Sequence, residues 1–333
     1  MSYRGNYNLD IKRTLAYKPR LICSALSKMD DPQMPVFVRG KQIPATTVCL
    51  RYFALLAAFL TVTLGAWADA PGIQRLQGIS YGQVGENTAL GTNPFLLDIT
   101  FAHDEVRPLV VFVHGGGWRR GSRRVGRLLQ NTLVGAGYAL ASVDYRLWPE
   151  VGVRESAIDV ARAVQFLYDN AKNYNLDRDR IALAGHSAGA QIAALVLTQP
   201  AVPTESGLAR ETIQSAVLLD GHGFELESYL AERPKLVEIF GDDLPERYAV
   251  SPVFLLRNSP PAYLPDIVIA WGADREPTDT QSRLLLKALE DTTAKVSGLP
   301  YANKRHRAFV TDFRDPGSDL SQRVLAFLRA SLR

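Results

Sequence analysis

A chain of 333 residues with 47% hydrophobic and 22% charged side chains has enough apolar material for a sizeable core, which excludes a wholly disordered protein. The formal net charge of +4 comes from the first part of the chain: residues 1–68 hold nine of the 38 basic and three of the 34 acidic side chains, leaving 29 against 31 in the remainder. A body without basic surplus or nucleic-acid motif argues against a nucleic-acid partner.

In chain order, the first recognisable element is a leader. Arg51 precedes an uncharged run, Tyr52 to Ala68, and Ala66-Trp67-Ala68 fits the small-x-small pattern of a signal-peptidase site. The reading is a leader over residues 1–68, with its apolar segment at 51–68, followed by one domain over 69–333 in an exported protein, periplasmic or secreted. The competing reading is an uncut anchor, since 17 uncharged residues reach the short limit for spanning a bilayer; membrane contact would then run through the leader alone. About fifty residues precede the run, so either Met34 is the true start or residues 1–33 form an extension. Cys23 and Cys49 both fall here, so the expected mature chain has neither disulfide nor cysteine nucleophile.

From about Gly72 onward, short β-branched runs alternate with amphipathic stretches, the pattern of an α/β protein with a mainly parallel central sheet and helices on both faces. Strands are expected at Phe95–Phe101, Leu109–Val113, Tyr138–Asp144, Ile181–Ala184, Ser215–Leu219 and Ile267–Trp271. Helices are expected at Val153–Asn173, Ala190–Leu197, Gln281–Ala294 and Ser318–Leu332. Between them, Gly223–Pro261 is interrupted by three Leu-Pro or Ser-Pro breaks and reads either as connecting helices or as a small cap-like insertion that shapes a substrate pocket with Trp118.

Two glycine motifs carry the chemistry. His114-Gly115-Gly116-Gly117-Trp118 directly follows the strand Leu109–Val113; bare backbone there lets the N–H groups of Gly116 and Gly117, with that of Ala188, point at an oxyanion. Gly185-His186-Ser187-Ala188-Gly189 follows the strand Ile181–Ala184 and precedes a helix, the setting in which a sharp turn presents a nucleophilic serine. The turn crowds its neighbours, so the positions two before and two after the serine must be nearly free of side chain.

With HGGGWRRGS, VDYRLWPE, DRIALAGHSAGA, AVSP and WGADREPTDTQS, most of Asp98–Arg333 resembles the α/β-hydrolase superfamily, in particular bacterial esterases related to hormone-sensitive lipase and to feruloyl and acetylxylan esterases. The fold orders its catalytic residues Ser, acid, His. His306 is the base, because of the histidines after Ser187 only it leaves room for an acid beyond a later strand. Asp274, three residues past Ile267–Trp271 and where the family places its acid, is preferred; Asp220, at the end of Ser215–Leu219, is the alternative because some related hydrolases take the acid from there. The resemblance makes Asp144, Tyr145 and Arg146 a brace beside the glycine loop. His114 and His186 read as packed supports and His103 as a solvated residue.

The expected activity is hydrolysis of a small-molecule carboxylic ester through an acyl-enzyme on Ser187, without cofactor or metal, since no ligand spacing such as H-E-x-x-H occurs. An aryl formamidase shares the motifs and is the rival enzyme; a catalytically silent binding module and an interfacial lipase are weaker ones, because both glycine motifs and all three side chains are present and no large apolar lid segment is. The sequence carries no signal for an oligomeric state.

Overall fold

In the computed structural model, the described residues are 36–38, 41–43, 73–82, 95–102 and 105–333. The apolar segment 51–68, its cleavage site and His103 lie outside them. Two compact units divide the chain at Ala70/Pro71. In the first, Val36–Val38 and Lys41–Ile43 pair as antiparallel strands. Everything below concerns the second.

Among the described residues, eight strands build its sheet: β1 (Ile73–Ser80), β2 (Leu96–Ala102), β3 (Arg107–Val113), β4 (Ala139–Val143), β5 (Leu176–His186), β6 (Ser215–Leu219), β7 (Asp266–Gly272) and β8 (Val296–Tyr301). Their spatial order is β1-β2-β4-β3-β5-β6-β7-β8. The pairs β1–β2 and β2–β4 are antiparallel and the rest parallel. Six parallel strands therefore end at one edge, where crossover folds gather their loops.

The four longest helices are α1 (Val153–Asp169), α2 (Ala188–Thr198), α3 (Thr278–Glu290) and α4 (Asp319–Ser331). Side chains alternate across a strand, so β3 feeds both faces of the sheet. Leu109, Val111 and Val113 pack in a cluster with α1, α2 and α3, while Val110 and Phe112 join a second with α4 and Leu133. Every residue of α2 is buried, which fits its nearly continuous apolar sequence.

Strands β1 and β8 were not foreseen, and the reason is physical. As edge strands they contain glycine, proline and half-exposed polar residues in place of a β-branched run. The segment 223–261 forms short helices, Leu226–Glu232, Val237–Phe240, Leu244–Ala249 and Pro252–Asn258. Phe224 and Val253 are fully buried, and Gln191 of α2 donates to the Val250 carbonyl at 2.8 Å. The segment is thus built into the core beside α2.

Candidate active site

The turn between β5 and α2 puts Ser187 at φ 57°, ψ −126°, in the left-handed half of backbone space that a non-glycine residue enters only when its surroundings hold it there. Neighbouring chain is close. A Cβ on Gly185 would overlap the Gly189 carbonyl, and one on Gly189 would overlap the carbonyls of Val113 and His114. The requirement for glycine two residues to either side of the serine is therefore steric, as the motif implied. Helix α2 starts immediately afterwards without a side-chain cap, leaving its first N–H groups and positive dipole end facing the Ser187 hydroxyl region.

Around that serine three groups form one hydrogen-bonded chain. His306, five residues beyond β8, lies with Nε2 2.9 Å from Ser187 Oγ and Nδ1 2.6 Å from Asp220 Oδ2. Asp220 follows β6, has φ 47° and is fully buried. Its other oxygen accepts from the Gly272 N–H at 2.9 Å, and Arg275 donates to Oδ2. Burial raises the carboxyl pKa, but hydrogen bonds from His306 and Gly272 and the Arg275 charge outweigh it and hold Asp220 below the usual carboxylate range.

The acid preferred from sequence is thereby corrected. Asp274 does not reach His306; it is exposed, and its Oδ2 accepts the Asn303 N–H at 2.8 Å. It ties the loop after β7 to the loop that carries His306. Sequence position offered two carboxylates on adjacent strand tips, and only the path of the side chains decides between them. Arg275 escaped notice altogether, its one signal being a cation next to the expected acid.

The glycine loop runs alongside. A Cβ on Gly115 would stand 2.6 Å from the His186 carbonyl and 2.8 Å from Ser187 Cβ, so this backbone presses on the serine itself. Gly116 has φ 143° and a Cβ there would overlap the Arg120 carbonyl; Gly117 has φ 63° with open space around it. Gly116 and Gly117 line the same cleft as Ser187, and Ala188 is the first residue of α2. Tyr145 Oη donates to the His114 carbonyl at 2.7 Å and its ring stacks on the His114 imidazole, while Asp144 is held by Arg123. Of the brace expected at residues 144–146, Tyr145 and Asp144 stand against His114, whereas Arg146 pairs with Asp159 of α1. Tyr145→Phe is expected to cost about 1–2 kcal/mol by leaving a buried carbonyl unpaired, measured as a lower urea midpoint.

Two more histidines sit against His306. His186 Nε2 donates to the His306 carbonyl at 3.1 Å, and His222 packs with ring centroid 5.8 Å from that of His306. Desolvation, reinforced by the nearby His306, lowers His186 to about 4 and His222 to about 3. Their folded values lie below the unfolded value of about 6.5, so the unfolded chain binds more protons as pH falls and stability declines from pH 6.5 downward. The expected loss between pH 7 and 5 is on the order of 2 kcal/mol per histidine, read from urea midpoints; a flat profile would contradict neutral burial.

The cleft at Ser187 has a volume of about 520 Å³ and is walled by the glycine loop, Val125, Leu128 and the segment from His306 to Thr311. The expectation that Trp118 and segment 223–261 line it is corrected. Trp118 is buried, donates to Gln191 Oε1 at 3.0 Å, and packs edge-on against Phe240. It fastens the glycine loop to α2 and the segment instead. Among the described residues, no three His, Cys, Asp or Glu side chains converge to hold a metal ion, and no helix is long and apolar enough to cross a membrane.

The sheet order and the strand-edge position of this site are those of the α/β-hydrolase fold. Comparison with solved structures agrees: esterase B from Lactobacillus rhamnosis superposes with a TM-score of 0.64 at 19% identity, over 86% of this chain and 94% of that one. Residues 97–217 match the BD-FAE family model. Among curated proteins, the isoprenylcysteine α-carbonyl methylesterase of Arabidopsis thaliana is 28% identical over 61% of this chain, which spans 51% of that relative's length. The kynurenine formamidase of Drosophila melanogaster is 31% identical over 33% of this chain and 36% of its own. These comparisons show the α/β-hydrolase fold and a similarity to esterases and to a formamidase.

Proposed function

We propose that the chain hydrolyses small-molecule carboxylic esters by acyl transfer through Ser187. The observation that supports this most directly is the continuous chain from Ser187 Oγ through His306 to Asp220. His306 takes the hydroxyl proton as Oγ attacks the ester carbonyl; the N–H groups of Gly116, Gly117 and Ala188 receive the developing negative charge. The alcohol leaves with the proton from His306, which then takes one from water as the water oxygen attacks the acyl carbonyl and returns it to Ser187 Oγ as the acid departs. Asp220 stays ionised and fixes the ring with Nδ1–H toward itself.

The test is covalent. A fluorophosphonate should add to one residue, Ser187, as located by peptide mass spectrometry, and block a stoichiometric burst of p-nitrophenol from p-nitrophenyl butyrate; label elsewhere, or turnover that survives labelling, would sink the reading. Similarity to a formamidase favours a second substrate class, and hydrolysis of N-formylkynurenine with little ester turnover would move the assignment there.

A further inference from the structure

The walls of the Ser187 cleft are unequal in charge. Val125, Leu128 and Val310 supply apolar surface, Arg120 and Arg307 supply two cations, and no acidic side chain lines it. These arginines belong to two basic runs, Arg119–Arg124 and Lys304–Arg307, and both arginines line the cleft. Among their basic neighbours, Arg119 pairs with Glu238, Arg123 with Asp98 and Asp144, and Lys304 with Asp312, while Arg124 and Arg305 are exposed but do not line the cleft. Arg120 and Arg307 are exposed and, among the described residues, pair with no carboxylate. The asymmetry is local, because residues 69–333 hold 29 basic and 31 acidic side chains.

Guanidinium groups at the mouth of a cleft do two things to an incoming anion. They raise its local concentration, and they offer paired N–H donors whose geometry matches a carboxylate. A neutral ester gains neither. We propose that the cleft selects esters that carry a carboxylate apart from the scissile bond, the anion held by Arg120 and Arg307 while the intervening chain lies on Val125, Leu128 and Val310. The proposal rests on the ester-hydrolase reading above and names the substrate class of that site.

Matched substrates test it. The acyl-side pair is p-nitrophenyl hexanoate against mono-p-nitrophenyl adipate, and the leaving-group pair is 4-acetoxybenzamide against 4-acetoxybenzoate. In at least one pair, kcat/KM for the anion should exceed that for the neutral ester by about tenfold at low salt, and the pair that responds shows which side of the ester meets the arginines. The ratio should fall severalfold in roughly 0.5 M NaCl and approach one in the double variant Arg120→Gln, Arg307→Gln. Ratios near one in both pairs, or a preference untouched by salt and by the double variant, would overturn the anion selection while leaving ester hydrolysis standing. Hydrolysis of none of the four esters would overturn both.

Discussion

Asp220→Asn is expected to lower kcat on a neutral aryl ester by about 10⁴-fold, while Asp274→Asn stays within a few fold of the parent chain. The asymmetry follows from what each carboxylate touches. Asp220 is fully buried with Oδ2 2.6 Å from His306 Nδ1, so it alone fixes the tautomer that leaves Nε2 free to accept the Ser187 proton. An amide in its place can turn its NH₂ toward the ring and select the wrong tautomer without a large change of shape. Asp274 holds only the Asn303 N–H, a bond that an asparagine oxygen can replace. The measurement is kcat for both variants at a pH above the acid limb, with thermal melts to confirm that each is folded. The reverse ranking would reinstate Asp274 as the acid and require the loop after β7 to approach the ring in solution.

The second large effect concerns backbone. Gly116→Ala should lower kcat by about 10²- to 10³-fold with a much smaller change in KM. At φ 143°, where an L side chain scarcely fits, a Cβ would overlap the Arg120 carbonyl, so the loop must shift and carry its N–H groups off the position where the oxyanion forms. Those donors act on charge that exists only in the transition state, which is why the loss falls on kcat. Gly117→Ala is the internal comparison: its φ of 63° is strained, but its Cβ would meet nothing within 4 Å, so a milder loss is expected. Equal losses would mean that strain, not overlap, dominates the loop; no loss at Gly116 would remove this backbone from the mechanism.

Local sterics explain which features are legible in the sequence. Gly185 and Gly189 are required by a turn spanning five residues, and the central strands announce themselves because both faces are covered and their sequences are uninterruptedly apolar. Ser187 and His306, which the structure brings together, could be picked out because one sits in a motif and the other is the one histidine in the right stretch; Gly116, Gly117 and Ala188 lie within the two glycine motifs. The acid was not accessible. Asp220 and Asp274 stand 54 positions apart on adjacent strand tips, both carboxylates near His306's loop, and only three-dimensional side-chain reach separates them. Edge strands β1 and β8 were hidden by their half-exposed polar residues. The wall of the cleft was misread because Trp118, an aromatic beside a glycine loop, suggests a pocket by type but is consumed by Gln191 and Phe240.

The loop that bears His306 is moored twice, Asp220 gripping the imidazole and Asp274 gripping the main chain three residues earlier. Natural variation acts on such an arrangement differently from a single mooring. A lineage with an acid on each of two adjacent strand tips can pass the ring from one to the other by reshaping the turn around Arg275, without an ancestor that lacks an acid altogether. Descendants would then differ in which strand supplies the carboxylate while sharing serine, histidine and glycine loop.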